Sequence, residues 1–418
     1  MPQGSDEPVR ETAEAVARCS YGKLVAFLAA RTGDVASAED ALSAAFTAAL
    51  TEWPVSGIPR NSEAWLMAVA RNKLVDAARR RQGSERAAGD LRMMAEELAA
   101  SAADDAYIPD DRLRLMFACA HPAIDPGVRA ALILQTVLGF DAATIASAFL
   151  LSPDAMSQRL VRAKNKIREA GIPFRLPERE ELRERLDSVL EAIYAVFSEG
   201  WSDPAGTELR HRNLAEEGIW LGRLVASLLP EEPEALGLLA LMLHADARRG
   251  ARRDGAGEYV PLAEQDVALW NAKFIEEAEA LLFRAGAMGV VGRYQLEAAV
   301  QSAHAVRRLT GGSDWAAIER LYEALAAIID SPVVTINRAI AIAETRGPAA
   351  GLAMLDTLAL DAQLGEYQSY WAARAALLAR AGQTDGADQA YQMAIGLEPD
   401  PAVRRFLQRR RAEAIGRA

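Results

Sequence analysis

The sequence predicts an all-α protein: two small helical domains followed by a long helical-repeat extension. Three observations carry this. Apolar residues recur at intervals of three and four along nearly the whole 418-residue chain. Ala, Leu, Glu and Arg, good helix formers, dominate the composition. No sustained run alternates β-branched with polar residues, as a half-buried strand requires.

The elements follow in order. Residues 8–81 read as a first helical unit. Pro54, Gly57 and Pro59 punctuate it, and Ser62 with Glu63 is expected to start its last helix. In that helix Leu66, Val69, Ala70, Leu74 and Ala77 supply the buried side, while Trp65, Asn72, Asp76 and Arg79 share another face. Residues 82–109, rich in Ala, Ser, Gly and acids, read as a linker. Residues 110–171 form a second unit with a helix-turn-helix at its end. Asp141 is expected to cap a helix to about Phe149, and Ser152 the next, with Pro153 at its first position. Met156, Leu160, Ala163 and Ile167 make one apolar stripe on that last helix, and Gly171 and Pro173 close it. Residues 178–418 are a mostly acidic helical extension. Its breaks are expected near Asp203–Gly206, Arg252–Gly257, Gly286–Gly292, Gly311–Ser313 and Gly382–Gly386.

Charge then points to function. The chain carries a formal net charge of −11, yet it gathers cations in two places. From Arg60 to Arg86 there are seven Lys/Arg against three acids, and from Ala155 to Ala170 five against one. Local basic surface on an acidic chain is the footprint of phosphate binding. On the second basic helix the apolar stripe fixes the docking angle. Ser157, Gln158 and Arg159, near its N-terminus, are placed to reach base edges, and Arg162, Lys164, Lys166 and Arg168 to contact phosphates. On the first, an aromatic and an amide beside clustered arginines suit single-stranded or melted DNA, where bases stack on rings. The loop Pro54–Asn61, with Arg60 and Asn61, is the wall of a pocket for an extruded base.

In the extension, Trp371, Ala375, Leu378, Ala387, Tyr391, Ala394 and Pro399 match tetratricopeptide spacing. A shift of 34 residues back puts Ala341 and Ala353 in phase with Ala375 and Ala387. A further turn ends at Pro332, after Trp315, Leu321 and Leu325.

Other residues point away from catalysis. Cys119 and His121 lack the further ligands a zinc site needs, so a core cysteine and a structural histidine are expected. His244 and Asp246 do not share a helix face, and His244 reads as buried or capping. Arg248–Gly255 reads as a solvated basic loop, and Tyr194, Glu199 and Trp201 as packing residues. No nucleophile–base pair or phosphate-cradling glycine loop is visible. The expectation is a non-enzyme without cofactor, metal or small-molecule substrate. No secretory leader or membrane span is visible and the two cysteines show no ligand spacing, so a cytoplasmic location is expected.

The motifs also carry a resemblance. WLMAVARNKLVDAARRR resembles regions 2.3 and 2.4 of a bacterial RNA polymerase sigma factor of the extracytoplasmic-function (ECF) type. Asp34–Pro54 resembles region 2.2, and Gly139–Lys166 region 4.2. RLRLMFACAHPAIDPGVRAALILQTVLGF and the extension are similar to the subgroup with a long tetratricopeptide-like C-terminal extension. The resemblance implies sigma region 2 at 8–81 and region 4 at 110–171. It implies that Asn72 and the Pro54–Asn61 loop read the minus-ten element, that Trp65 supports the loop, and that Arg71, Lys73, Arg79 and Arg80 hold phosphates. It further implies that Glu39, Asp40, Leu42 and Phe46 dock on the β′ clamp helices of the polymerase core. Family members usually have Gln-Glu where this chain has Ser43-Ala44, and glycine is common where it has Leu150. The partners implied are core polymerase and promoter DNA. The alternative from the residues alone is a helix-turn-helix transcription regulator whose repeat domain is a sensor.

Overall fold

The computed structural model describes residues 6–81, 111–148, 152–201, 209–358 and 362–416. Among them the protein is helical without strands, apart from one isolated bridge between Arg253 and Tyr259. The all-α class holds. No described helix is long and apolar enough to cross a membrane. The linker expected at 82–109, the break expected at Asp203–Gly206 and the turn residue Leu150 lie outside the described residues. Two compact units emerge, Met1–Ile193 and Tyr194–Ala418.

The first unit contains α1 (Asp6–Thr32), α2 (Val35–Ser56) and α3 (Ser62–Arg81), then α4 (Arg112–Cys119), α5 (Pro126–Leu138), α6 (Ala142–Ala148) and α7 (Pro153–Glu169). Asp34 caps α2 by accepting from Ser37 N at 3.1 Å. Pro54 does not end α2, contrary to expectation. It falls in the last turn, where a missing N–H costs one hydrogen bond, and Gly57 at φ 85° stops the helix. Asn61, not Ser62, caps α3, accepting from Ala64 N at 3.0 Å. Asp141 and Ser152 cap α6 and α7 as their sequence positions predict, at 2.7 and 3.3 Å. Each such cap contributes about 1 kcal/mol. The α7 stripe Met156, Leu160, Ala163 and Ile167 is buried throughout.

The groups expected to be separate domains pack against each other. α1 touches both α4 and α5, and α7 lies against α2. Gly22 makes this contact possible, since a Cβ there would fall 1.6 Å from Val137 O on α5. Tyr21 sits beside Gly139, and Arg31 pairs with Asp111 at 3.5 Å. The next helix, α8 (Arg179–Trp201), crosses the boundary between units. The extension therefore does not begin cleanly at 178. Buried Leu182, Leu186, Val189 and Leu190 on α8 belong to the first unit.

The second unit continues with α9 (Leu209–Leu228), α10 (Pro233–Ala247), α11 (Ala272–Ala287), α12 (Arg293–Ala305), α13 (Arg307–Thr310) and α14 (Trp315–Ile328). α15 (Pro332–Arg346), α16 (Pro348–Asp356), α17 (Gln368–Arg380), α18 (Thr384–Leu397) and α19 (Pro401–Ile415) complete it. The buried residues of the α17–α18 pair include Ala375, Leu378, Ala387, Tyr391 and Ala394, with Trp371 packed at the edge. The expected 34-residue phase fails one pair earlier, because Ala353 is exposed. Helix starts there repeat at 36 residues (368 − 332 and 384 − 348). The counterparts of Ala375 and Ala387 are accordingly Ala339 and Gly351. A Cβ on Gly351 would meet Ala339 O at 2.7 Å, so the small residue lets the pair close.

The basic loop after α10 is not solvated as expected. Arg253 pairs with Asp400, Glu258 with Arg405 (2.7 Å) and Arg409 (3.0 Å), and Glu264 with Arg410, so the loop straps onto α19.

Candidate nucleic-acid and polymerase interface

On α2 the residues Val35, Ala38, Leu42, Ala45, Ala49 and Trp53 recur at three and four, and all are buried. Leu42 is therefore a core residue, which revises its expected role as a partner contact. Phe46 is half-buried, and Asp40 is exposed. The open face of the helix is Asp40, Ser43, Thr47 and Leu50, spaced three, four and three. Thr47 and Leu50 were not among the expected contacts. The complement of the buried stripe is the signal that finds them.

On α3, Leu66 and Ala70 are buried, while Asn72, Lys73 and Asp76 are exposed, and Arg71 is half-buried. Trp65 is half-buried and meets Trp53 edge to face, with ring centroids 5.4 Å apart. Such a pair is worth about 0.5–1.5 kcal/mol beyond its buried area, so Trp65 braces the end of α2. Arg60 and Asn61 are exposed, although the Asn61 carbonyl oxygen is engaged as the helix cap. Glu63 accepts from Ser20 Oγ and pairs with Lys23 at 3.3 Å, tying α3 to α1. Lys73 lines an open recess with Ser37, Asp40 and Ala41, on the α2 side of the helix. The side chains of Arg79 and Arg80 lie outside the described residues.

On α7, Ser157, Gln158, Arg159, Arg162 and Lys166 are exposed opposite the buried stripe. This is the division a groove-reading helix needs. Lys164 departs from the pattern. Its Nζ lies 2.7 Å from Glu39 Oε2, and both side chains are only 13% exposed. One turn later Arg168 Nη1 lies 3.5 Å from Asp34 Oδ2. The expected phosphate contact Lys164 and the expected polymerase contact Glu39 are thus joined to each other. Burial, only partly offset by Lys164, holds the Glu39 carboxyl above its ordinary pKa. At Asp34 burial is outweighed by the Ser37 hydrogen bonds and Arg168, which hold its pKa below the ordinary value.

Cys119 and His121 have structural places. Burial pushes the Cys119 thiol up to about 12, and its Sγ is 3.5 Å from Thr136 Oγ1. His121 Nδ1 accepts from Ala123 N at 3.1 Å. His244 is buried, and Tyr194 packs edge to face on Tyr294 at 5.8 Å. The side chains of Glu199 and Trp201 lie outside the described residues. Among the described residues no three His, Cys, Asp or Glu side chains are grouped to hold a metal ion.

Comparison with known proteins fits this geometry. Residues 17–84, which hold most of α1 together with α2 and α3, match sigma-70 region 2. Residues 185–286 match a family of unknown function, DUF6596. No solved structure matches the chain. Uncharacterized protein R00370 of Rhizobium meliloti (strain 1021) is 39% identical over 376 residues, covering 89% of this chain and 88% of its own. The region 2 match supports a sigma-factor-like role in transcription initiation, with RNA polymerase and promoter DNA as partners. With that identity over nearly the full length of both chains, the protein belongs to the family of the Rhizobium meliloti relative, and its residues 17–84 match sigma-70 region 2.

Proposed function

We propose that this protein is a promoter-specificity subunit of bacterial RNA polymerase, a sigma factor of the extracytoplasmic-function type with a tetratricopeptide-like extension. The observation that carries the reading is the region 2 match on α1–α3 in a chain whose α7 is a capped, amphipathic helix with an open basic face. In this reading Asp40, Ser43, Thr47 and Leu50 meet the β′ clamp helices. Asn72, Asp76 and the Pro54–Asn61 loop face the melted minus-ten strand, and Trp65 holds that loop from behind. Residues 110–171 act as region 4, where Ser157, Gln158 and Arg159 read an upstream element. The extension supports the productive arrangement. The protein performs no chemistry of its own, since polymerase supplies the catalysis.

Run-off transcription with purified core polymerase tests this. Promoter-dependent transcripts are expected only when the full-length protein is added. A helix-turn-helix regulator would instead bind duplex DNA without associating with core, and that result overturns the proposal.

A further inference from the structure

We propose that Arg248, Arg252, Tyr259 and Tyr322 form a binding site in the second unit for the oxyanion of a small ligand, a carboxylate or a phosphate group. The site lies wholly within that unit and is independent of the polymerase reading.

Arg248 directly follows α10 and is half-buried. A guanidinium stays charged and offers five N–H donors. Two of them are used: Nε donates to His244 O at 3.4 Å, and Nη2 donates to Gln301 Oε1 on α12. Both acceptors are neutral. The carboxylates of the surrounding elements are each engaged by another cation: Asp246 by Arg249 at 2.6 Å, Glu297 by Arg293 at 2.8 Å, and Asp400 by Arg253. Among the described residues none is left for Arg248. Its Nη1 therefore lacks a protein acceptor there, and the atom is not sealed from solvent. Arg252 stands close enough to add a second positive charge. Burial first, and then Arg252, lower the Arg248 pKa to about 10. Two half-buried like charges without a carboxylate between them repel, and an anion relieves that cost.

Two tyrosine hydroxyls complete the site. Tyr259 is fixed by the hairpin it shares with the arginines. Val260 N donates to Arg252 O at 2.9 Å, Tyr259 bridges Arg253, and its ring meets Phe406 on α19 edge to face at 5.3 Å. Tyr322 on α14 packs against the cluster that holds Val300 and Ala303 of α12. Both tyrosines act electrostatically on Arg248, so both lie near its guanidinium. Among the described residues neither hydroxyl has a hydrogen-bond partner, and neither is sealed from solvent. Burial raises Tyr259, and it raises Tyr322 to about 12 with Glu297 and Tyr194 adding to the rise. Each keeps its proton and can donate. Guanidinium and phenol donors grouped without an acid to receive them match an oxyanion. Because all four side chains are half-buried, a small anion reaches them and a flat macromolecular surface does not. A bound oxyanion would tie together the end of α10, the strap and α14.

Titration of the full-length protein with sodium succinate and, separately, with inorganic phosphate tests this, with sodium chloride at equal ionic strength as the control. Calorimetry and thermal unfolding read the binding. At least one of the two oxyanions is expected to bind and to raise the melting transition of the second unit, as a ligand of the folded state must. The tighter of the two identifies the group as carboxylate or phosphate. Tyr259→Phe and Tyr322→Phe each remove one hydroxyl and are expected to weaken binding by about tenfold, the loss typical of one hydrogen bond to a charged group. Arg248→Lys keeps the charge but loses the fork, and is expected to weaken it at least as much. Arg320→Gln removes an exposed cation from α14 and is expected to leave binding unchanged. If neither oxyanion binds more tightly than chloride, or if binding survives Tyr259→Phe, Tyr322→Phe and Arg248→Lys alike, the site is refuted.

Discussion

Lys164 and Glu39, 125 residues apart in the chain, form a nearly buried ion pair at 2.7 Å that joins α7 to α2. Burying both charges costs more than their attraction returns unless further hydrogen bonds satisfy them. The raised pKa of Glu39 says the same: burial outweighs Lys164, and Asp40 on its own helix adds to the rise. Burial raises Tyr21 on α1 and Cys119 on α4, and the Glu39 charge adds to both rises. The pair therefore specifies how α7 seats on α2 more than it stabilises the unit.

An asymmetry between the two partners follows. Lys164→Ala leaves a buried carboxylate alone and is expected to destabilise the first unit by about 3 kcal/mol. Glu39→Gln removes the charge that burial disfavours but leaves the Lys164 ammonium only a neutral amide to bond, and is expected to cost less, about 1–2 kcal/mol. Urea unfolding of both variants checks this. Equal losses would mean that the pair is a net stabiliser.

The open stripe of α2 separates binding from folding. Leu50→Glu is expected to abolish co-purification with core polymerase while leaving the melting temperature within about 2 °C, because Leu50 is about half exposed. Leu42→Ala removes a fully buried side chain and is expected to cost about 2–5 kcal/mol of stability. Wild-type core affinity in Leu50→Glu refutes the docking face.

The recognition helix gives a second separation, now between affinity and specificity. Arg162→Ala is expected to weaken binding to all DNA sequences similarly and to reduce the salt slope by about one. Gln158→Ala is expected to relax preference at one or two base pairs, losing roughly 1–3 kcal/mol of discrimination. A selection experiment on randomised upstream elements measures both. Unchanged preference after substitution of each of Ser157, Gln158 and Arg159 would remove α7 as the reader.

Much of α7 was legible in the sequence. Its N-cap, its first-position proline and its four-residue stripe depend on local hydrogen bonds and helical period, which the residues themselves state. The direction of Lys164 was not legible. It sits one turn beyond Leu160 at the edge of the stripe, and only the neighbouring helix decides whether such a residue meets water, phosphate or Glu39. Leu42 was legible but misread, since the 35, 38, 42, 45, 49, 53 series already assigns it to the core. The phase of the α15–α16 pair was lost for another reason. Within each pair the two helices start 16 residues apart (348 − 332 and 384 − 368), but 20 residues separate the start of α16 from that of α17 (368 − 348), so the repeat is 36 long and a fixed 34-residue shift misplaces the seam.

A buried histidine and a half-buried one in the second unit set an acid limit. Burial, with Arg248 nearby, lowers both His244 and His304 to about 4. Glu279 lies 3.5 Å from His244 Nε2, and Ser313 and Trp315 face His304. The unfolded chain takes up these protons near pH 6.5, before the folded one does. Stability is expected to fall as pH drops from about 6.5 toward 4, by on the order of 2–3 kcal/mol per histidine, and to level off below. His304→Asn is expected to flatten part of that loss. A variant with the unchanged pH profile in thermal unfolding would show that His304 is not one of the groups responsible.

Truncation tests what the extension does, and the structure changes where to cut. Removing everything after Pro177 strips α8, whose Leu182, Leu186, Val189 and Leu190 are buried within the first unit. That fragment is expected to lose stability for reasons unrelated to the extension, at about 1.5–3 kcal/mol for each large apolar side chain whose burial is lost. A cut after Trp201 keeps α8 whole. The 1–201 fragment is expected to melt close to the first transition of the full-length protein and still bind core through α2. It is nevertheless expected to support less promoter-dependent transcription than the full chain, because a packed helical array suits a bracing role. Run-off assays at matched core occupancy check this. Stronger transcription from the 1–201 fragment than from the full chain would make the extension an inhibitor, and the bracing role would be refuted.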